Sequence, residues 1–270
     1  MANFEQTKGY LNLRGVVYGI DNKEPFESEY KKSLNFRIKT SKENTLFVQA
    51  GGWKSSSLNV KLKGEGMEEV VDIPESDVAD EIAAFFKDGD SVFLQARADI
   101  NTYSNRVDYT VSKMYILDKE LDFEAEDFEE VNELNIPAII TDLPKDRIQK
   151  ILFATYKGET LEQDLEVNDD DVLEFLNENV NAGDLVPFTL RVGNEPIYEI
   201  VEAEDDKKEE KPRTTLKGKK VGGSKKGKKK ITGNKSFVEI VDIDTEKIVK
   251  GKYNAQDLPV KVEEGEDLPF

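Results

Sequence analysis

The fold of this chain is decided by residues 74–116, PESDVADEIAAFFKDGDSVFLQARADINTYSNRVDYTVSKMYI. The first part repeats apolar residues at helical spacing, at Val78, Ile82, Phe85 and Phe86. Ser76 or Asp77 can cap the start of this segment and Gly89 can end it. The pattern therefore predicts one short helix just before position 90.

A long hairpin is predicted directly after this helix. Residues 91–103 alternate between apolar and polar types, Ser104-Asn105 makes a turn, and the alternation resumes to Ile116. Upstream of the helix, strand-like runs occupy residues 9–20, 34–39, 46–50 and 58–62. Strands, one helix and then a hairpin is the element order of an OB-fold.

We therefore predict a mainly β protein whose residues 1–118 form an OB-fold, a five-stranded barrel with one helix. The helix of such a barrel lies between its third and fourth strands. A β-sandwich with an incidental helix has the same element content and stays open as the alternative.

A second, smaller OB-like domain is predicted for residues 128–203, after an acidic linker at 119–127. Its helix begins near Asp171, and residues 185–192 and 197–201 are predicted to form a hairpin. The spacing from helix to hairpin resembles that of the first unit, which suggests a duplication.

The C-terminal region is predicted to be flexible and to change from basic to acidic. Residues 204–235 form a Lys-rich arm whose low complexity cannot build a core. Residues 236–256 are predicted to form a β-hairpin, and residues 257–270 are predicted to form an acidic tip. Between Lys211 and Lys235 there are eleven cations and no acid, although the whole chain has a net charge of −18.

The amino-acid composition excludes several kinds of functional site. The 270 residues include no Cys and no His, which excludes disulfides, Cys or His zinc sites and His-based triads. No stretch approaches the length of a membrane span. We expect a soluble, cytoplasmic protein with no membrane partner and no cofactor.

Binding of unpaired nucleic acid needs cations for the phosphates and aromatic faces for the bases. On a strand, alternate residues point to opposite sides, so the residues opposite the apolar set form the candidate surface. The candidates in the first unit are Arg14, Arg37, Lys39, Phe47, Trp53, Lys54, Lys61, Phe93, Arg97, Tyr103 and Arg106. For Phe47, Phe93 and Trp53 taken singly, packing on the core or the helix is an equally good interpretation.

The Lys-rich arm adds a second electrostatic contact. Its candidate residues are Lys225, Lys226, Lys228, Lys229 and Lys230. Flexible Lys tracts bind phosphate backbones without reading sequence. The same lysines could instead neutralise the acidic tip in the free protein, and DNA would then release the tip.

Two acidic clusters, Glu124-Ala125-Glu126-Asp127 and Asp169-Asp170-Asp171, could hold Mg²⁺ for nuclease chemistry. The first cluster lies in a linker, and the second lies where a helix dipole stabilises acids. Structural roles are favoured, and no phosphate loop or nucleophile motif is present. We predict neither an enzyme nor a metal site.

The chain ends in Glu-Glu-Gly-Glu-Asp-Leu-Pro-Phe, residues 263–270. A C-terminal segment of this kind can bind in a pocket that accepts one aromatic ring and pairs the terminal carboxylate with Arg or Lys. A frayed, solubilising tail is the alternative. The ending resembles the C-terminal tip of bacterial single-stranded DNA-binding proteins (SSBs). The docking residues implied by this resemblance are Glu266, Asp267, Leu268, Pro269 and Phe270.

The resemblance implies a protein that coats single-stranded DNA during replication, recombination or repair. Its tip would recruit a polymerase, helicase, primase or recombinase. The two OB-like units and the basic arm depart from the bacterial family and suggest a bacteriophage protein acting in the host cytoplasm. The alternative is a replisome adaptor that uses the tip for protein contacts and does not hold DNA.

Overall fold

The computed structural model describes residues 4–201 and 228–259. Within these residues the chain is mainly β and has two α-helices. The strands are β1 (Gly9–Tyr18), β2 (Phe26–Glu27), β3 (Lys31–Lys39), β4 (Thr45–Trp53), β5 (Asn59–Lys63), β6 (Val71–Pro74), β7 (Ser91–Asn101), β8 (Arg106–Ile116), β9 (Val131–Ile140), β10 (Ile148–Ala154), β11 (Thr160–Val167), β12 (Leu185–Val201) and β13 (Lys228–Ile243). The helices are α1 (Val78–Phe85) and α2 (Asp170–Asn179).

Five strands close a circuit of backbone pairing that we call ring 1. β1 pairs antiparallel with β3 and β7, β3 pairs with β4, and β7 pairs with β8. The circuit closes where β4 lies parallel to β8, with Gln49 opposite Thr110. α1 comes between the third and fourth strands of the circuit. Ring 1 is therefore OB-like, as predicted, and its closed pairing differs from the two open sheets of a sandwich.

The core of ring 1 follows from the alternation along its strands. On β1, Leu11 and Leu13 are fully buried, whereas Asn12 and Arg14 point outward and are only half-buried. α1 buries Val78, Ala79 and Ile82 against the same core. The helix ends earlier than predicted, because Phe86 is already extended and buries its side chain.

A second circuit, which we call ring 2, repeats this pairing order. β9 pairs antiparallel with β10 and β12, β10 with β11, and β12 with β13. The circuit closes where β11 lies parallel to β13, with Val167 opposite Ile240. α2 lies between the third and fourth strands of this circuit, in the same place as α1 in ring 1.

The two rings belong to one sheet because their first strands pair. β1 runs antiparallel to β9, from Tyr10 opposite Asn135 to Arg14 opposite Val131. Equivalent strands of the two rings therefore lie side by side. The insertion β5–β6 extends the other end of the sheet, where β5 pairs parallel with β8.

The structure overturns both hairpins predicted for the C-terminal half. Residues 185–201 form the single strand β12, and β13 pairs along it from Phe188–Ile243 to Val201–Lys228. Within 236–256, a 3₁₀ turn at Thr245–Lys247 follows β13, and Val249 makes one isolated bridge to Leu185. The partner of β13 is remote in sequence, so local alternation could not identify it. The predicted arm also shortens, because residues 228–235 belong to β13.

Candidate nucleic-acid interface

The outward side of β3 and β4 carries the feature closest to the predicted binding surface. Arg37 lies opposite Phe47 across the two strands, and its guanidinium carbon is 4.4 Å from the centroid of the Phe47 ring. Phe47 is 55% exposed although it is a large apolar side chain. A cation over one face of an exposed ring fixes the ring and leaves the rest of it open to a further planar group.

Polar residues flank this pair on the same side of the strands. Asn35 is exposed and lies opposite Gln49, whose Oε1 accepts a hydrogen bond of 3.1 Å from the Lys31 Nζ. We call this set the β3–β4 face and define it as Lys31, Asn35, Arg37, Phe47 and Gln49. It combines cations, amides and one open aromatic ring.

Trp53 and Lys54 follow the β3–β4 face at the end of β4. Trp53 is 62% exposed, and Lys54 forms an ion pair of 2.7 Å with Glu27. Hydrogen bonding from Lys54 and then from Lys32 lowers the pKa of Glu27. Phe26 and Tyr30 are also exposed here and were missed by the sequence analysis, because they lie in the polar stretch before β3.

Two basic residues that were predicted to contact DNA, Arg14 and Lys39, instead contact the segment between the two rings. The Arg14 Nη2 donates a hydrogen bond of 2.6 Å to the carbonyl of Glu129, and its Nε is buried without a partner. The Lys39 Nζ lies 5.7 Å from the centroid of the Phe123 ring. Both side chains help to hold residues 119–130 against ring 1.

Arg97 is neutralised within the protein. Its Nη2 lies 2.8 Å from Glu75, which is almost fully buried, and its Nε lies 3.1 Å from Asp99. Burial alone would lower the pKa of Arg97, but the charge of Asp99 and the hydrogen bond to Glu75 raise it overall. These two carboxylates leave Arg97 little charge to offer a phosphate.

The remaining predicted residues of ring 1 are spread over other parts of its surface. Phe93 stacks on Tyr115 with the ring centroids 6.4 Å apart, and Lys61 lies opposite Lys113 on β5 and β8. Tyr103 is fully exposed at the tip of the β7–β8 hairpin. At the base of this tip, Arg106 pairs with Asp108 at 2.6 Å.

The predicted arm and tip lie mostly outside the described residues. Lys225, Lys226 and the tip residues 266–270 fall in segments that the structure does not describe. The backbone of Lys228, Lys229 and Lys230 forms the start of β13, opposite residues 199–201. The last described residues, up to 259, pack on ring 2 through Leu258.

Ring 2 differs from ring 1 on the equivalent outward side. The outward side of β11, the counterpart of β4, carries Asp164 and Glu166, whereas the outward side of β4 carries Phe47 and Gln49. A small apolar cluster on β9 and β10 is covered by the two ends of the described chain. Its buried members are Phe4, Ile139, Leu152, Ala154 and Leu258. The basic and aromatic features are therefore concentrated on ring 1.

A comparison with known protein families identifies the chain. The family model of YorF matches residues 14–268. The chain belongs to the YorF family. No curated protein matches the sequence of this YorF-family member. Among solved structures, the chain is remotely similar to a deletion mutant of the single-stranded DNA-binding protein from Thermus aquaticus. The identity is 12%, the match covers 70% of this chain and 87% of that one, and the TM-score is 0.38.

A hydrogen-bond network joins the two rings of this YorF-family chain. The Glu130 carboxylate accepts hydrogen bonds from Thr40 and from the Asn44 Nδ2, the latter at 2.9 Å, and pairs with Arg191 at 3.5 Å. The Asn44 Oδ1 accepts a hydrogen bond of 2.8 Å from the backbone N–H of Asn194 on β12. The network fixes the loop after β3 against ring 2.

Beside this network lies a pocket of about 720 Å³, which we call the inter-ring pocket. Ring 1 contributes Phe47 and Gln49 of the β3–β4 face and Tyr109 of β8. Ring 2 contributes Phe237 of β13 and apolar residues such as Leu165. The pocket is thus continuous with the β3–β4 face.

The acidic clusters have structural partners. Asp169 caps α2 by accepting hydrogen bonds from the backbone N–H groups of Asp171 and Val172, and Asp170 pairs with Arg147 at 2.7 Å. Glu124 pairs with Lys42 at 2.8 Å. Over residues 4–201 and 228–259 there is no group of three or more acidic residues placed to hold a metal ion. Neither helix in these ranges is long and apolar enough to cross a membrane.

Proposed function

We propose that this protein is a non-enzymatic, sequence-independent single-stranded DNA-binding protein that uses the β3–β4 face. The observation that carries the proposal is the exposed Arg37–Phe47 pair, whose ring is held by a cation and is open to a base. Stacking of bases on aromatic side chains tolerates any sequence, because every base has a π-face. A duplex hides those faces, so the proposal requires a preference for unpaired DNA.

Lys31 and Arg37 supply charge beside the open ring. Phosphates of a strand that stacks a base on Phe47 would pass these cations. Trp53 and the exposed aromatics near it extend the surface beyond one end of the face. The strand path we propose therefore runs along β4, from Trp53 towards the inter-ring pocket.

We further propose that residues 1–118 and 128–203 are two OB-like domains with different tasks, joined by the acidic linker 119–127. Support comes from the repeated pairing order of the two rings, in which ring 2 takes its fifth strand, β13, from beyond residue 203. Their charges differ, because ring 2 contains far more acidic than basic residues even when the lysines of β13 are counted. The basic residues of 128–201 are Lys145, Arg147, Lys150, Lys157 and Arg191. DNA binding is assigned to ring 1 on this basis.

The proposed roles of the Lys-rich arm and the acidic tip rest on the sequence alone. The Lys-rich residues up to Lys230 would add salt-sensitive contacts to phosphates. The tip, Glu266–Phe270, would recruit enzymes of replication, recombination or repair, as the resemblance to bacterial SSBs implies. Leu258, the last buried residue before the tip, packs on ring 2, so we place the recruiting role away from the DNA-binding face of ring 1. A bacteriophage origin and action in a host cytoplasm belong to the same proposal.

The rival function is an adaptor that carries the tip but holds no DNA. Fluorescence anisotropy with labelled oligo-dT, duplex DNA and RNA at two salt concentrations separates the two functions. The proposal expects tight, salt-sensitive binding with a preference for single-stranded DNA. The only tryptophan of the sequence, Trp53, gives an independent readout through quenching. Indifference to strand state would favour the adaptor.

Deleting the last eight residues tests the division of labour between body and tip. The truncated chain should keep or increase its affinity for oligo-dT, because repulsive negative charge is removed. It should lose recruitment of partner enzymes, measured by pull-down with purified replication proteins. Loss of DNA affinity in the truncated chain would contradict the proposal.

A further inference from the structure

We propose that the inter-ring pocket receives one nucleobase of a strand bound on the β3–β4 face. This inference rests on the proposed function and adds a second base site to it. Phe47 lines both the face and the pocket, so a strand that follows β4 reaches the pocket without leaving the protein surface. The pocket volume of about 720 Å³ leaves room for a base and its sugar.

The floor of the pocket on the ring 2 side is built around the Phe237 ring. Phe237 lies opposite Gly193 on β12, and a side chain at Gly193 would meet the ring at 2.1 Å. The guanidinium carbon of Arg191 lies 5.4 Å from the centroid of the same ring. The absence of a side chain at 193 and the cation on the ring fix Phe237 in place. Together with Phe47, it gives the pocket an aromatic residue from each ring.

The polar lining has the chemistry of base edges. Side-chain amides of both rings face the pocket, from Asn35, Gln49, Asn105, Gln163 and Asn194. Over the described ranges, the amides of Asn35, Asn105, Gln163 and Asn194 make no side-chain hydrogen bond. An amide both donates and accepts, as the Watson–Crick edge of every base requires. Such a lining holds a base without selecting one.

Charge around the pocket favours a neutral base inside and phosphates outside. Arg37 and Arg106 lie at the ring 1 side, where Asp108 pairs with Arg106. On the ring 2 side, Glu239 pairs with Arg191. Burial raises the pKa of Tyr109, and the charge of Asp108 raises it further, so its hydroxyl stays neutral. Because the lining carboxylate, Asp108, is paired with Arg106, a base enters without meeting an unpaired negative charge.

The test uses the full chain and oligo-dT that carries 5-iodo-deoxyuridine, a photoreactive base that crosslinks to aromatic side chains. Crosslinked peptides are identified by mass spectrometry. The proposal expects crosslinks at Phe237 or Tyr109 in addition to those at Phe47 or Trp53. Crosslinks confined to Phe47, Trp53 and other residues outside the pocket would overturn it.

A filling variant gives a second, independent readout. Gln163→Phe fills the pocket from ring 2 and leaves all five residues of the β3–β4 face unaltered, and Asn177→Phe adds the same side chain on the exposed side of α2. We expect Gln163→Phe to abolish crosslinking at Phe237 and to lower oligo-dT affinity about tenfold, the order of one lost stacked base. Asn177→Phe should change neither, and thermal unfolding checks that both variants fold.

Arg37→Ala and Gln163→Phe together distinguish a failure of the pocket proposal from a failure of the proposed function. If Gln163→Phe binds like the unaltered chain while Arg37→Ala binds weakly, the pocket proposal falls and the proposed function stands. If the unaltered chain binds no oligo-dT, the proposed function falls and takes the pocket proposal with it.

Discussion

The Arg97 Nη2 lies 2.8 Å from the carboxylate of Glu75, a residue that is almost fully buried. Alternation along β7 correctly places Arg97 on the outward side, where a DNA contact was predicted. Its charge instead balances a carboxylate that the fold has removed from water. Arg97 therefore has a structural role that the sequence pattern does not reveal.

Replacing Arg97 should destabilise the protein and leave DNA binding largely unchanged. Loss of one partner of a buried ion pair costs roughly 3–5 kcal/mol, and the partial exposure of Arg97 lowers our expectation to about 2 kcal/mol. Arg97→Met should show this loss in urea unfolding. Arg106→Met, which breaks the exposed pair with Asp108 on the same hairpin, should cost less than about 1 kcal/mol. Equal losses in both variants would contradict the assignment.

Glu27 should limit the affinity for DNA by holding Lys54 and Lys32. Its pKa is lowered by these lysines, so the carboxylate stays charged at neutral pH and is protonated only as the pH falls through this lowered value. Glu27→Gln should free Lys54, while Lys32 keeps its ion pair with Asp80, and should tighten oligo-dT binding about twofold at low salt. Glu29→Gln removes the same charge from an exposed residue nearby. If both variants tighten binding equally, net charge and not the ion pair is responsible.

Glu130 should stabilise the junction between the rings. Its carboxylate accepts hydrogen bonds from the fully buried residues Thr40 and Asn44, and removing it leaves the Thr40 hydroxyl and the Asn44 Nδ2 without an acceptor. We expect Glu130→Ala to lower the free energy of unfolding by about 2–3 kcal/mol. The neighbouring Glu129 uses only its backbone carbonyl, towards Arg14, so Glu129→Ala is the matched control and should cost little. Similar melting temperatures for the two variants would argue against the network.

Arg37 and Phe47 should contribute to binding by different physical routes. Arg37→Ala should reduce the slope of log affinity against log salt by about 0.7, because one phosphate contact is lost. Phe47→Leu should weaken binding about tenfold without changing that slope, because stacking does not release counterions. Anisotropy titrations over a series of salt concentrations measure both quantities. A slope change in Phe47→Leu would show that the ring acts through its neighbours.

Local periodicity predicted the helix and strands of ring 1 and the outward positions of Arg37 and Phe47. The helix at 78–85 and the hairpin at 91–116 form close to where the pattern predicts them. Alternation also places Arg37 and Phe47 outward. It says nothing about partners that are distant in sequence, such as Glu75 for Arg97 or β13 for β12. Those pairings are set by the closure of the rings, which no local window contains.

The inter-ring features were beyond sequence reasoning for the same reason. Glu130 reads as one more acid at the end of an acidic linker, yet it contacts Asn44 and Arg191 from two different rings. Phe237 lies in a run predicted as part of an isolated hairpin. Only the pairing of β13 along β12 brings it to Gly193 and to the pocket.

We propose that ring 1 binds single-stranded DNA through the Arg37–Phe47 pair, and ring 2 supplies a matched control. Tyr156 and Lys157 form an exposed pair on ring 2, with the Lys157 Nζ 5.5 Å from the ring centroid. The decisive measurement compares oligo-dT affinity of the Arg37→Ala/Phe47→Ala and Tyr156→Ala/Lys157→Ala double variants at about 0.3 M salt, where screening weakens the Lys-rich arm. We predict at least about a tenfold loss for the first variant and less than about twofold for the second. Equal affinities of the two variants would contradict the account.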